Sequence, residues 1–238
     1  MRQDIHNSDV PVLCRACEVR HRGICGALTP AQLSSLGRTA RRHEYVPGKE
    51  LIVAGEETSR YANILSGVVK LTMMMQDGRQ QIVGLQFAPD FLGRPFHSKN
   101  ALSVEPASTV RICSFPREVL EAMVRQSPEL EHRLHVQALR ELDEAREWML
   151  TLGRKTASEK VASFLLLIAR HENPEIEGGV IHLEIALTRA DIADFLGLTI
   201  ETVSRQLTRL RKAGAIRIEK HRIVLVPDLE ALMQAAGE

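Results

Sequence analysis

The chain has 238 residues, a net charge of +1 and 44% hydrophobic residues. This length suits two domains, and the composition excludes disordered and collagen-like proteins. With 31 basic and 30 acidic residues the chain is not uniformly basic, so any nucleic-acid binding has to come from a local patch. We find no signal peptide and no apolar stretch long enough to span a bilayer, and therefore expect a cytoplasmic protein without membrane contact.

The first predicted element is a cysteine-rich loop. Cys14, Cys17 and Cys25 follow the pattern C-x2-C-x7-C, and Cys113 lies far away. Because structural disulfides are rare in the cytoplasm, the pattern indicates a metal or redox centre whose fourth ligand is brought in by folding. Zn²⁺ and an iron–sulfur cluster both suit four thiolates, and the spacing does not separate them. Alternatively, Cys113 is a core residue and the other three are reactive thiols.

Basic side chains lie among these cysteines. We expect them to lower the pKa values of the thiols and so to stabilise the thiolates. They are Arg15, Arg20, His21 and Arg22.

A short helix and a set of strands are predicted next. The helix covers Thr29 to Ala40, because Thr29 suits its N-cap and Pro30 its first turn. From His43 to Phe115, short apolar runs alternate with turn residues, which predicts a barrel-like β-roll, and Asp77-Gly78 predicts a hairpin. The predicted strands are Leu51–Val53, Tyr61–Leu65, Val68–Met75, Gln81–Phe87 and Thr109–Phe115.

The segment Pro116 to Leu152 predicts a helix that breaks near Pro128. Its small and apolar residues recur at spacings of three and four between charged residues, as in a two-stranded coiled coil. We therefore expect a homodimer, while a helix packed on its own domain remains the alternative. A hinge at Gly153-Arg154-Lys155 and a helix over Ser158–His171 follow. The predicted dimer seam is His135, Ala138, Leu142, Ala145, Met149 and Leu152.

Residues 189–210 predict a helix-turn-helix. Thr188 suits the N-cap of the first helix, Thr199 suits that of the second, and Gly197 lies where the turn needs a positive φ. A loop over 174–179 and a strand over 180–185 precede this motif. The alternating residues of 215–226, around Lys220-His221, predict a hairpin "wing".

The second helix of this motif is expected to enter the major groove of double-stranded DNA. Arg205 can bond guanine and Glu201 can accept from cytosine, so these two and Ser204 are the predicted base-reading residues. A surface salt bridge between Glu201 and Arg205 is the alternative. Residues 186–222 carry eight basic and four acidic side chains, a local charge of +4. The predicted contacts to the DNA backbone are Thr202, Thr208, Arg209, Arg211 and Lys212.

A β-roll, a long helix and a C-terminal winged helix-turn-helix in this order resemble the CRP/FNR superfamily of bacterial transcription regulators. Glu201, Ser204 and Arg205 resemble the E-x-x-S-R residues with which the FNR branch reads TTGAT-type half-sites. The resemblance implies an α+β fold with an N-terminal β-roll of the cyclic-nucleotide-binding, jelly-roll type. The implied domains are a cluster-binding loop (1–27), a β-roll sensor (28–118), a dimerisation helix (119–153) and a winged helix-turn-helix (154–238).

The same resemblance implies that Cys14, Cys17, Cys25 and Cys113 hold an oxygen-labile [4Fe–4S] cluster. In the absence of oxygen, the cluster would stabilise a dimer that binds a palindromic promoter site. The second gap has seven residues where the best-known pattern has five, and is similar to a variant in alphaproteobacterial members.

Contact with RNA polymerase is also implied, and the candidate loop is Asp77, Gly78, Arg79, Gln80 and Gln81. The segment 91–98 lacks the glutamate and the Arg-Ser or Arg-Thr pair of the cyclic-nucleotide branch, so no cyclic nucleotide is expected. The expected protein is a regulator and not an enzyme. The alternatives are a zinc-stabilised or cluster-free regulator of the same fold and, less favoured, an iron–sulfur redox enzyme.

Overall fold

The computed structural model describes residues 10–97, 99–172, 179–219 and 222–238. The chain divides into two compact units. One comprises Met1–Met75 and Val83–Asp143, and the other comprises Gln76–Ile82 and Glu144–Glu238. The predicted α+β fold, with a β-roll, a long helix and a helix-turn-helix, is confirmed. The predicted loop residues 174–178 and the wing residues Lys220 and His221 lie outside the described residues.

The first unit begins with a short helix α1 (Val12–Arg15), a 3₁₀ turn (Ile24–Ala27) and helix α2 (Pro30–Thr39). The predicted α2 is confirmed together with its cap. The backbone N–H of Gln32 donates to the Thr29 hydroxyl, and the Gln32 side chain accepts from the Thr29 N–H. This reciprocal capping box fixes where the loop ends and the helix begins.

The β-roll consists of two sheets. One has the order β1-β7-β2-β5 and the other β4-β3-β6, and apolar residues such as Ile64, Val69 and Ile112 form a core between the strands. The hairpin turn between β3 and β4 contains Gly78 at a φ of +86°. The strands are β1 (Arg41–Tyr45), β2 (Arg60–Ser66), β3 (Val68–Met74), β4 (Gln80–Phe87), β5 (Phe91–Leu92), β6 (Ser103–Pro106) and β7 (Val110–Pro116).

The strand prediction is wrong for Leu51–Val53, and it misses β1, β5 and β6. Leu51–Val53 is not a strand, since Ile52 forms only an isolated bridge with Val104. In contrast, β1 is a strand although its sequence, RRHEY, has no apolar alternation. It lies at a sheet edge and pairs only with β7, so its conformation is fixed by cross-strand hydrogen bonds and its charged side chains remain exposed.

Two helices follow the roll, α3 (Arg117–Gln126) and α4 (Pro128–Arg154), and the predicted break at Pro128 is confirmed. The predicted hinge over Gly153-Arg154-Lys155 lies slightly too early, because α4 continues through Gly153 to Arg154 and the helix break falls at Lys155 and Thr156. The Thr156 hydroxyl accepts from the Glu159 N–H, and the Glu159 carboxylate accepts from the Thr156 N–H, which starts the next helix.

A buried carboxylate ties α3 to the segment after β5. Glu121 Oε1 accepts hydrogen bonds from the Tyr61 hydroxyl (2.7 Å), the Phe96 N–H (2.9 Å) and Arg117 Nε (2.8 Å). Burial acts to raise the pKa of Glu121, but these donors outweigh burial and the pKa is lowered. Phe96 has a φ of +66°, so this network holds a backbone conformation that a phenylalanine rarely adopts.

The second unit is built around helix α5 (Ala157–Glu172), which is mostly buried, as its apolar sequence predicts. Helices α6 (Arg189–Leu196), α7 (Ile200–Lys212) and α8 (Leu229–Ala236) accompany it. Strands β8 (Ile181–Glu184), β9 (Arg217–Glu219) and β10 (Ile223–Val226) form an antiparallel sheet of order β8-β10-β9. Of the helices in the described part of the chain, none is both long and apolar enough to cross a membrane.

Candidate functional site

All four cysteines line one pocket of the first unit. Cys14 lies in α1, Cys17 shortly after it, Cys25 in the 3₁₀ turn and Cys113 on β7. All four are free thiols. The structure therefore brings the distant cysteine to the three of the loop. Leu13, Val19, Leu65 and Pro89 give the pocket apolar walls.

Two strand residues flank Cys113 across the sheet. On β1, Arg42 is its partner in the register, and on β2, Asn63 is its partner on the other side. Arg42 Nη2 donates to the carbonyl oxygen of Leu13 at 2.6 Å, which attaches the cysteine loop to the sheet. Asn63 Nδ2 donates to Cys25 Sγ at 3.3 Å. Neither residue is among the predicted site residues, because only the strand register places them beside the cysteines.

Burial controls the acidity of the thiols. Burial first, and the neighbouring thiols of the pocket second, raise the pKa of Cys25 to about 12 and that of Cys113 to about 11. The pKa of Cys14 is raised for the same reasons, while the charge of Arg42 opposes the shift. For Cys14, Cys25 and Cys113 the expectation that loop arginines lower the pKa is wrong, since the cations that act on Cys14 and Cys113 are Arg42 and Arg60, both outside the loop. Metal binding at this pocket has to displace protons.

The donor set suits a sulfur-ligated centre. Four soft thiols meet in an apolar pocket, and Arg42 supplies positive charge near a site that four thiolates would make negative. Within the described residues no three His, Cys, Asp or Glu side chains are arranged to hold a single ion. The pocket that the four thiols line is small, about 30 Å³. The residues therefore fit such a group chemically, without a preformed cage.

One residue of α4 connects this loop to the long helix. The Arg133 guanidinium donates to the carbonyl oxygens of His21 (3.4 Å) and Arg22, which lie between Cys17 and Cys25. A change in loop conformation would break these bonds. Arg133 was not predicted either, because 111 residues separate it from Arg22.

The predicted seam residues lie along one side of α4. Leu142 is 44% exposed and Met149 74% exposed in the single chain. Ala138 and Ala145 are exposed, and Leu152 is partly buried. The alternative is a helix whose seam packs on its own domain. Leu142 and Met149 do not fit this alternative, because both are exposed in the single chain. This strip of α4, defined by Ala138, Leu142, Ala145, Met149 and Leu152, is named the seam below.

The helix-turn-helix has the local structure that its sequence predicts. The Thr188 hydroxyl accepts from the Asp191 N–H and starts α6, and the Thr199 hydroxyl accepts from the Thr202 N–H and starts α7. Gly197 ends α6 at a φ of +60°. Ile192, Val203 and other apolar residues of the two helices are buried, so the charged face of α7 points outward.

Ser204, Arg205, Thr208, Arg209 and Lys212 line an open groove along α7. Glu201 is exposed in the first turn, where bonds from its own N–H and the Thr199 hydroxyl lower its pKa, so it is ionised at neutral pH. The alternative prediction, a salt bridge between Glu201 and Arg205, is not observed among the described residues. The Arg205 guanidinium instead contacts Thr202 Oγ1 at 3.5 Å. Arg211 is exposed, while Thr202 and Thr208 are partly exposed and hydrogen-bonded within α7 or its cap.

Each of the two units contains a region that matches a known protein family. Residues 42–127 match the cyclic nucleotide-binding domain family, and residues 159–235 match the Crp-like helix-turn-helix domain family. A relative from Rhizobium leguminosarum bv. viciae is 55% identical over 97% of this chain and 96% of its own. The transcriptional activator protein FnrL of Cereibacter sphaeroides is 39% identical over 97% of this chain and 95% of its own. The chain belongs to the CRP/FNR family.

A solved structure supports the CRP/FNR assignment. FixK2 from Bradyrhizobium japonicum is 28% identical to this chain, with a TM-score of 0.75 over 82% of this chain and 96% of FixK2. The relatives are transcription regulators, so this CRP/FNR protein is a DNA-binding transcription regulator and not an enzyme. The groove along α7 is therefore on the DNA-binding domain.

The candidate polymerase loop of this CRP/FNR protein lies at the tip of the β3–β4 hairpin. Asp77 and Arg79 form an exposed ion pair at 2.8 Å, and the Arg79 N–H also donates to the Asp77 carboxylate. Gly78 lies in the turn, and Gln80 and Gln81 are the first two residues of β4. The tip is therefore ordered by its own hydrogen bonds and presents charged side chains.

Proposed function

We propose that the protein is an oxygen-responsive transcription regulator, in which an oxygen-labile [4Fe–4S] cluster controls the pairing of two chains on DNA. The observation that carries the proposal is the meeting of Cys14, Cys17, Cys25 and Cys113 in one pocket. Four thiolate ligands are the usual set for this cluster. The similarity to the transcriptional activator protein FnrL over nearly the whole chain supports the role in activating transcription.

In this proposal the cluster supplies sensitivity to oxygen, and the residues of the chain convert its presence into a change of assembly. Cys113 belongs to a strand of the sheet, whereas Cys14, Cys17 and Cys25 belong to a segment that contains only short helical turns. Joining them fixes the loop on the sheet. Arg133 then keeps its bonds to the carbonyls of His21 and Arg22, so that loop and α4 are ordered together.

The ordered α4 presents the seam to a second chain. A homodimer forms because burying exposed apolar side chains such as Met149 and Leu142 is favourable. The cluster favours the dimer only if it binds the dimer-competent conformation more tightly, which makes the switch a shift of populations. Without the cluster, Cys14, Cys17 and Cys25 would no longer be joined to Cys113, and the dimer would be weaker.

The dimer would bind a palindromic site because two α7 helices then read two half-sites about 34 Å apart. We assign base readout at TTGAT-type half-sites to Glu201, Ser204 and Arg205. The phosphate contacts fall to the residues farther along α7 and its partly exposed threonines: Thr202, Thr208, Arg209, Arg211 and Lys212. The hairpin tip from Asp77 to Gln81 is the proposed contact with RNA polymerase.

The regulator is proposed to work without a cyclic nucleotide. The part of the chain where the cyclic-nucleotide branch holds phosphate, after β5, is bonded to Glu121 through the Phe96 N–H. A carboxylate at this place would repel a phosphate. The match to the cyclic nucleotide-binding family therefore describes the architecture of the roll.

Metal analysis without air tests the cluster. Protein purified anaerobically is expected to contain four iron and four sulfide per chain and to show the visible absorption of the cluster, which disappears in air. The variant Cys113→Ser should lose iron and should bind DNA weakly with and without oxygen. A colourless protein with one zinc per chain would establish the zinc-stabilised alternative, and DNA binding that ignores oxygen would establish a cluster-free regulator.

Footprinting on a palindromic TTGAT site tests the reading residues. Glu201→Ala and Arg205→Ala are each expected to lower affinity for this site about 5- to 150-fold, since a base contact discriminates by about 1–3 kcal/mol. The matched control is Glu230→Ala, which removes an exposed carboxylate from the first turn of α8. Equal affinities of all three variants and the parent would contradict the assignment.

A further inference from the structure

Asn63 is an unusual residue for its position. It lies in the middle of β2 between Ala62 and Ile64, both buried, and is itself only 5% exposed. Its Oδ1 is buried and has no hydrogen-bond partner among the described residues. An unpaired buried acceptor costs about 1–3 kcal/mol of stability, so an apolar side chain of the same size would serve the roll better.

The other end of this amide points to the cysteine pocket. Asn63 Nδ2 donates to Cys25 Sγ at 3.3 Å, and Asn63 lies opposite Cys113 in the β2–β7 register. It therefore lies beside one cysteine of the loop and one of the sheet. A metal-bound thiolate carries no proton and can only accept hydrogen bonds, so the orientation of the amide matches the ligated form of Cys25.

We propose that Asn63 is a positioning residue of the sulfur centre, whose amide N–H holds the Cys25 sulfur on the sheet and donates a hydrogen bond to it when it is a ligand. This inference rests on the proposed cluster. Hydrogen bonds to ligand sulfurs withdraw negative charge and raise the reduction potential of an iron–sulfur cluster. Asn63 thus makes the cluster harder to oxidise, at a cost to the stability of the roll.

A series of three residues of similar shape tests the proposal in the full chain. Asparagine donates a hydrogen bond to the sulfur. The leucine of Asn63→Leu can neither donate nor accept a hydrogen bond, and the carboxylate of Asn63→Asp can only accept one. The midpoint potential of the reconstituted cluster is expected to fall in the order Asn, Leu, Asp. For the Leu variant, loss of visible absorption in air-saturated buffer should be about three- to tenfold faster, as expected for one lost hydrogen bond.

Asn63→Leu removes the unpaired oxygen, so its iron-free chain should not lose stability even though the cluster of the loaded variant is lost faster in air. Its thermal midpoint should equal or exceed that of the parent, and this separates positioning from simple damage to the fold. The matched control is Thr72→Val, which removes a buried hydroxyl from β3 and should leave the potential and the rate in air unchanged.

Two results would overturn the inference and are distinguishable. If the parent holds iron and sulfide but Asn63→Leu has the same potential and the same rate in air, only the role of Asn63 is wrong. If the anaerobic parent holds neither iron nor sulfide, the proposed cluster itself is wrong and the role of Asn63 falls with it. Should Asn63→Asp fail to fold, the Leu variant and its control still decide.

Discussion

The seam of α4 allows a prediction whose size follows from the structure. Met149 is 74% exposed in the single chain and lies on the seam. Full burial of a methionine is worth about 1.5–3 kcal/mol, and a two-fold dimer contains the residue twice. Replacing it with glutamine, which has a similar size and helix propensity, is therefore expected to cost about 2–4 kcal/mol of dimerisation free energy. The dimer should dissociate about 30- to 1000-fold more readily.

The chain provides a control one residue away. Leu150 is 61% exposed but lies about 100° further around the helix, outside the seam. Leu150→Gln should leave dimerisation nearly unchanged, within a few-fold. Sedimentation equilibrium of the cluster-loaded protein without oxygen measures both constants. If the two variants weaken the dimer equally, or if neither does, the seam is not the interface. The spacing of three and four along α4 would then not predict the dimer contact.

Three further changes have expected outcomes. Arg133→Met should weaken the cluster-loaded dimer about 5- to 20-fold at unchanged iron content, because it removes the hydrogen bonds to the carbonyls of His21 and Arg22. Sedimentation and iron analysis together check this. An unchanged dimer would contradict the proposed connection between the cysteine loop and α4. Glu121 has a lowered pKa in the folded chain, so its stabilisation is complete above its ordinary pKa of about 4.3 and is lost as the pH falls below that value. Glu121→Gln should therefore destabilise the protein at pH 6 and do so progressively less towards pH 3, as thermal unfolding across this range will show; a constant difference would argue against the carboxylate. Gly197→Ala should cost about 1 kcal/mol in urea unfolding, since the φ of +60° disfavours a side chain although the space is open.

Local features explain why the second unit was predictable. Thr188, Gly197 and Thr199 set the ends of two helices by hydrogen bonds and backbone preferences that involve only nearby residues. The apolar periodicity of α5 and the alternation of the wing act over similarly short distances. In the same way, the turn at Gly78 and the break at Pro128 follow from single residues.

The errors arose where local signals were weak or misleading. β1 has a polar sequence and is a strand only because it pairs with β7. Gly153 favours a hinge in the prediction, yet one glycine costs a long helix only about 1 kcal/mol and α4 continues to Arg154. The decisive signal there, the Thr156–Glu159 capping box, lies three residues later.

Local sequence patterns were sufficient to predict the order of roll, long helix and helix-turn-helix, the number of thiols and the outward residues of α7. These depend on periodicity, capping and residue type, which are written along the chain. In contrast, the positions of Arg42 and Asn63 beside Cys113, and the contact of Arg133 with the cysteine loop, become visible only in the folded chain. Strand register and helix packing bring together residues that are distant in sequence, and no local pattern records these contacts.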